Sequence, residues 1–190
     1  MSVGHLHVPG DAARREYAVY LVVATHRRSG QRRLYVGKTG DNRDGCNPMV
    51  SRAGNHFSYN RLHSQLRNHL KPDDPGEYDF DYFYTTFGPY LPPGDSRDGI
   101  DVINEMERRL NRAAQDAFGA ILNPYKGAGY VNRRERDRRA VFASADRLEQ
   151  LDRLIAEVRS FLGAGGPPMA VVELDDGPTG GESGITPPLP

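Results

Sequence analysis

The stretch YAVYLVVAT, residues 17–25, does most to limit what this chain can fold into. It is short, β-branched and aromatic, a composition that fits a pleated, half-buried surface better than a helix. HRRSGQ follows, with Ser29 and Gly30 as a turn signal, and then RRLYVGKT repeats the strand pattern. Residues 17–39 are therefore predicted to be a β-hairpin closed by a polar loop. Alternation puts Ala18, Tyr20 and Val22 on one face, and Tyr17, Val19, Leu21 and Val23 on the other.

Later segments add helices and one more strand. GDNRDGCNP is rich in turn formers, and VSRAGNHF leads from it into a short helix weakened by Gly54. YNRLHSQLRNHL spaces Leu62, Leu66 and Leu70 four apart, an amphipathic helix ended by KPDDPGE. EYDFDYFYTTF alternates Tyr78, Phe80, Tyr82 and Tyr84 with Asp79, Asp81 and Phe83, the pattern of a third strand. After the proline-broken loop GPYLPPGDSRDG, residues 100–118 read as a helix with Ile103, Met106, Leu110 and Ala114 along one stripe, ending near Gly119. The connector ILNPYKGAGY precedes a basic helix, NRRERDRRAVF. A clearer helix follows, with Leu148, Leu151, Ile155, Val158 and Leu162 at seam spacing. Two heptads are too few to argue a coiled coil, so docking onto the domain and pairing in a dimer both stay open.

The expected class is α+β: a small three-stranded antiparallel sheet flanked by helices, plus a C-terminal helix. Residues 1–14 lack periodicity and read as a flexible arm, 15–130 as the domain, and 131–162 as a helical extension. Residues 163–190 hold seven Gly and six Pro and read as a disordered acidic tail. No run of 18 apolar residues argues for a membrane span, and the N-terminus lacks the apolar core of a secretory signal. The single cysteine, Cys46, has no internal disulfide partner, so a cytoplasmic chain is expected.

Formal net charge is zero, but the distribution is uneven. Residues 163–190 carry four acidic side chains and no basic one, leaving 25 basic against 21 acidic in the first 162. Arg supplies 22 of the 25 positive charges. Its planar fork matches phosphate oxygens, although base composition of the gene explains an Arg-rich chain equally well. His5 and His7, flanking Leu6 in the arm, read as incidental rather than as a metal clip.

Two tyrosine triplets carry the chemistry: Ala18-Val19-Tyr20 and Tyr35-Val36-Gly37. Hairpin pairing brings such residues within about 5 Å, so Tyr20 and Tyr35 can share one polar patch. Downstream stand Arg52, His56 four residues on, Glu105 and Glu107 on a helix, and Asn123 before a proline. In these motifs and their order, residues 17–125 resemble the GIY-YIG nuclease superfamily. The resemblance implies that Tyr20 helps deprotonate the attacking water and that Tyr35 hydrogen-bonds at the scissile phosphate. It implies that Gly37 lets the backbone approach closely, that Arg52 stabilises phosphate charge, and that Glu107 holds one Mg²⁺ or Mn²⁺. His56 falls where relatives carry His or Tyr, and Asn123 would brace the site. Gly37, Lys38, Arg43, His63 and Arg67 are candidate nucleic-acid contacts.

Elementary chemistry fits these roles. Phosphodiester hydrolysis needs an activated water, a counter-charge and help for the leaving oxygen. An unperturbed Tyr, with a pKa of about 10, is a poor base at neutral pH, so His56 stays a rival for that role. The pattern also departs from the family. Ala18 replaces a glycine, DNRDGCN lengthens the loop and makes Arg43 a runner-up to Arg52, and Asn123 lies far from Glu107. Glu105 and Glu107 are about 200° apart on a helix, so only one faces the site, and Glu107 has the better spacing. The expected function is metal-dependent endonucleolytic cleavage of DNA, as a homodimer or with a partner protein that delivers the substrate. Two alternatives stand beside it: a catalytically silent nucleic-acid-binding module on the same fold, and an interaction protein working through its C-terminal helix.

Overall fold

The computed structural model describes residues 3–40, 48–58, 64–91, 97–125 and 132–164. Arg43, Cys46, His63, the expected loop insertion and nearly all of the acidic tail lie outside them. The hairpin forms as expected. Strand β1 (Glu16–His26) pairs antiparallel with β2 (Arg32–Thr39), and Gly30, at a φ of 69°, makes the turn that closes it. Strand β3 (Tyr78–Pro89) adds antiparallel to the other edge of β1, giving the order β2-β1-β3. The apolar run of residues 17–25 is thus the central strand, and residues 17–24 are buried throughout.

Five helices flank the sheet among the described residues: α1 (Met49–Asn55), α2 (Gln65–Leu70), α3 (Arg97–Phe118), α4 (Arg133–Arg139) and α5 (Ala145–Gly163). The fold is α+β, with one three-stranded antiparallel sheet, flanking helices and a C-terminal helix. The long helix starts at Arg97, three residues before the expected start. In the amphipathic segment the described helix covers Gln65–Leu70, and Leu62 lies outside the described residues.

One sheet face is dry and aliphatic. Val19, Leu21 and Val23 of β1 and Leu34 and Val36 of β2 pack on Val102, Met106, Leu110 and Ala114 of α3 and on Leu151, Leu154, Ile155 and Val158 of α5. This settles the open question about the C-terminal seam: α5 covers its own sheet. Burying such side chains contributes about 1.5–3 kcal/mol each, enough to hold a helix of modest propensity in place. Arg32 at the hairpin tip fastens the end of α5, donating to the Leu162 carbonyl at 2.9 Å with its guanidinium over Phe161.

The C-terminal end of the basic run docks α4 onto α3. Arg138 makes a bidentate pair with the buried Asp101 of α3 at 2.6 and 2.8 Å, and the Arg139 guanidinium forms ion pairs with Asp101 and, within α4, with Glu135. The end of the expected flexible arm is packed as well. Gly10–Ala13 form a 3-10 turn, and Ala12 is buried with the aromatic face of the sheet. Among the described residues no helix is long and apolar enough to cross a membrane.

Candidate active site

The second sheet face is aromatic and polar, and its layout follows from strand register. In one row Tyr35 of β2 and Tyr82 of β3 flank Val22 of β1; in the next, Gly37 and Tyr84 flank Tyr20. Glycine is required at position 37 because a Cβ there would overlap the Tyr20 ring. The close approach predicted for Gly37 is therefore an approach of the Tyr20 side chain, which lies across β2.

Helix α1 and its C-terminal residue supply the groups above Tyr20. Arg52 and His56 are one helical turn apart, so both reach the same spot. Arg52 Nε donates to the Tyr20 hydroxyl at 3.2 Å, and His56 Nε2 lies 2.6 Å from the same oxygen. The Leu66 backbone N–H at the start of α2 donates to His56 Nδ1 at 3.4 Å. An Nδ1 that accepts leaves the ring proton on Nε2, so the imidazole donates to Tyr20. The Tyr20 oxygen thus receives two hydrogen bonds, and its own proton points elsewhere.

His56 is fully buried among aromatic rings, with its centroid 5.3 Å from Tyr35, 5.7 Å from Tyr20 and 6.4 Å from Tyr82. Burial, aided by the Arg52 charge, pulls its pKa down to about 3. The sequence kept His56 as a rival to Tyr20 for the base role because an ordinary imidazole titrates near neutrality. The structure removes that advantage: the ring is neutral, its basicity is suppressed and both nitrogens are engaged. Burial pushes the Tyr20 phenol well above its ordinary value, and neighbouring Tyr35 and Tyr82 push the same way, while Arg52 opposes them. Tyr35 is pushed up to about 12, by burial first and then by the Glu107 carboxylate, again against Arg52.

Glu107 stands on α3 at the β2 edge, where its Oε2 lies 2.6 Å from Lys38 Nζ and its charge is felt by Tyr35. Glu105 turns away. It is fully buried and bound by Arg108 at 2.6 and 2.9 Å and by Arg109 at 2.8 Å. Burial raises its carboxyl, but those two guanidiniums outweigh it and leave the pKa low. The ordinary helix-supporting ion pairs thus belong to Glu105, and Glu107 is the carboxylate whose charge reaches Tyr35.

Asn123 braces the strand that carries Tyr35 and Gly37. Its side-chain amide stands in for a strand neighbour of Val36, accepting from the Val36 N–H at 3.0 Å and donating to the Val36 carbonyl at 2.7 Å. Asn111, fully buried on α3, holds this segment by donating to the Asn123 carbonyl and accepting from the Tyr125 N–H, each at 2.9 Å. The long interval between Glu107 and Asn123 is accommodated because Asn111, one turn beyond Glu107, ties the returning chain to the same helix. Arg67 on α2 reaches the Ser58 carbonyl at 3.5 Å.

Sequence reasoning missed Tyr82 and Asn111. Tyr82 was visible in the alternation of β3, but only the register shows which aromatic lies opposite Val22 and Tyr35. Asn111 was visible as the residue four beyond Glu107, with nothing to name its partner.

Among the described residues no three His, Cys, Asp or Glu side chains cluster as a multidentate metal site. A single hard carboxylate fits a hydrated Mg²⁺ or Mn²⁺, which keeps most of its waters, better than it fits Zn²⁺ or Ca²⁺. Glu107 is the residue that would hold it. No family model, curated protein or solved structure matches this chain.

Proposed function

We propose that this chain is a metal-dependent endonuclease of the GIY-YIG type that hydrolyses DNA phosphodiester bonds. One observation carries the reading: Tyr20, Tyr35, His56 and Arg52, scattered over 37 positions, meet on one sheet face, with Glu107 at its edge. A sheet face used only for packing has no need of an Arg fork and three phenols around a suppressed imidazole.

In this reading Arg52 binds a non-bridging phosphate oxygen and offsets the charge that builds up there. Tyr20 first loses its phenol proton to solvent, and the two donors already aimed at its oxygen, Arg52 Nε and His56 Nε2, stabilise the phenolate. That phenolate then takes the proton of the attacking water. His56 is a positioning group. Tyr35 hydrogen-bonds at the phosphate, and Asn123 fixes the strand that carries it. Glu107 would hold a divalent cation, which when bound would add counter-charge for the phosphate and lower the pKa of nearby water. DNA is the substrate class, the chain acts as a homodimer that cuts both strands or with a partner protein that delivers the substrate, and it works in the cytoplasm.

The test is plasmid cleavage with Mg²⁺ or Mn²⁺, comparing wild type with Arg52→Ala and Glu107→Ala, each checked for intact folding. Wild-type nicking that both substitutions reduce by about 100-fold or more is the expected result. Equal cleavage by all three proteins would overturn the site. Retention of DNA without cleavage by wild type on plain, branched and nicked substrates would replace the enzyme with a binding module.

A further inference from the structure

Tyr82 lies across Val22 from Tyr35, with its ring centroid 6.0 Å from Tyr20 and 6.4 Å from His56. Its hydroxyl is buried and has no hydrogen-bond partner among the described residues. Buried hydroxyls in native proteins are nearly always paired, and an orphan is costly, so this one calls for an explanation. Phe at position 82 would fill the same space without that cost. The neighbouring oxygen offers a reason. Tyr20 Oη already receives two donors, and a neutral phenol has no need of a third, whereas a phenolate accepts three.

We propose that Tyr82 is a positioning residue whose hydroxyl donates to the Tyr20 oxygen once Tyr20 has lost its proton. This rests on the nuclease reading for its purpose but not for its test. The bond is absent in the resting protein and forms when charge develops, so it stabilises the reacting state selectively. The groups that bear on Tyr20 are Arg52 and His56 from the α1 end, Tyr35 from β2 and Tyr82 from β3. Glu107 of α3 and His69 of α2 reach the cluster through Tyr35. Burial pushes the Tyr82 phenol far up. The proton leaves Tyr20 to solvent in a titration, and no other bond changes.

The experiment replaces Tyr20 by 3,5-difluorotyrosine, whose lower intrinsic pKa brings its ionisation into an accessible range, in full-length protein with and without Tyr82→Phe. ¹⁹F resonances followed against pH report the residue-20 pKa directly. A rise of about one to two pH units in the Tyr82→Phe protein is expected, the size of one hydrogen bond to a charged group. Identical titrations would overturn the proposal. So would a clearly lower thermal midpoint for Tyr82→Phe with native Tyr20, because that reveals a partner in the resting state. If wild type cuts DNA, Tyr82→Phe should lower kcat about tenfold with DNA affinity unchanged, and an unchanged kcat also counts against it. If wild type cuts nothing, the nuclease reading fails while the titration still decides the role of Tyr82.

Discussion

Tyr20 and Leu21 are neighbours on β1, both fully buried, yet they belong to opposite faces of the sheet. Leu21 points into an aliphatic layer formed with α3 and α5. Tyr20 points into a polar aromatic layer under α1, where an imidazole is held neutral and the Tyr82 hydroxyl has no partner among the described residues. The first face is organised as stable cores are, with apolar atoms packed and few polar groups to satisfy. The second breaks those rules at several points, which is why the proposed site is placed there. A single strand thus separates an aliphatic core from the proposed site by its two-residue period.

Neighbouring substitutions break this comparison most directly. Tyr20→Phe should lower cleavage by about 100- to 1,000-fold, because it removes both the base and the acceptor of the Arg52 and His56 donors. Its stability cost should be about 1–3 kcal/mol, from those two stranded donors. Leu21→Ala should do the reverse, costing about 2–5 kcal/mol in denaturant unfolding while the folded fraction keeps its rate per molecule. Equal loss of both properties in both variants would show that the faces are not separate in function.

A smaller effect sharpens the contrast through pH. His56 has a folded pKa near 3 against an ordinary 6.5, so the unfolded chain binds the proton more readily. Its contribution to stability is complete above pH 6.5 and is lost as pH falls towards 3, at up to about 1.4 kcal/mol per pH unit. His56→Gln should flatten that part of the urea-midpoint profile, whereas Leu21→Ala should lower the profile without changing its shape. A His56→Gln profile as steep as wild type would mean that another group carries the acid sensitivity.

Much of the scaffold was legible in the sequence. The β-branched run, the alternation of residues 78–84 and the helical stripe of Ile103, Met106, Leu110 and Ala114 name their elements through local periodicity alone. Boundaries were less legible: the start of α3 and the burial of Ala12 depend on packing partners distant in sequence. The separation of Glu105 from Glu107 also followed from helix geometry, but which of them meets Lys38 needed the sheet to be in place.

The sequence by itself determined a three-stranded α+β scaffold and the residue types available for phosphate chemistry, because hydrophobic period and side-chain chemistry are local properties. Tertiary structure decided that α5 covers its own sheet, that His56 is a buried neutral donor, that Asn123 reads the backbone of Val36, and that the Tyr82 ring lies beside Tyr20. Each of those depends on strand register, burial or a hydrogen bond between residues 36 to 87 positions apart or on separate strands, and no local pattern encodes such distances.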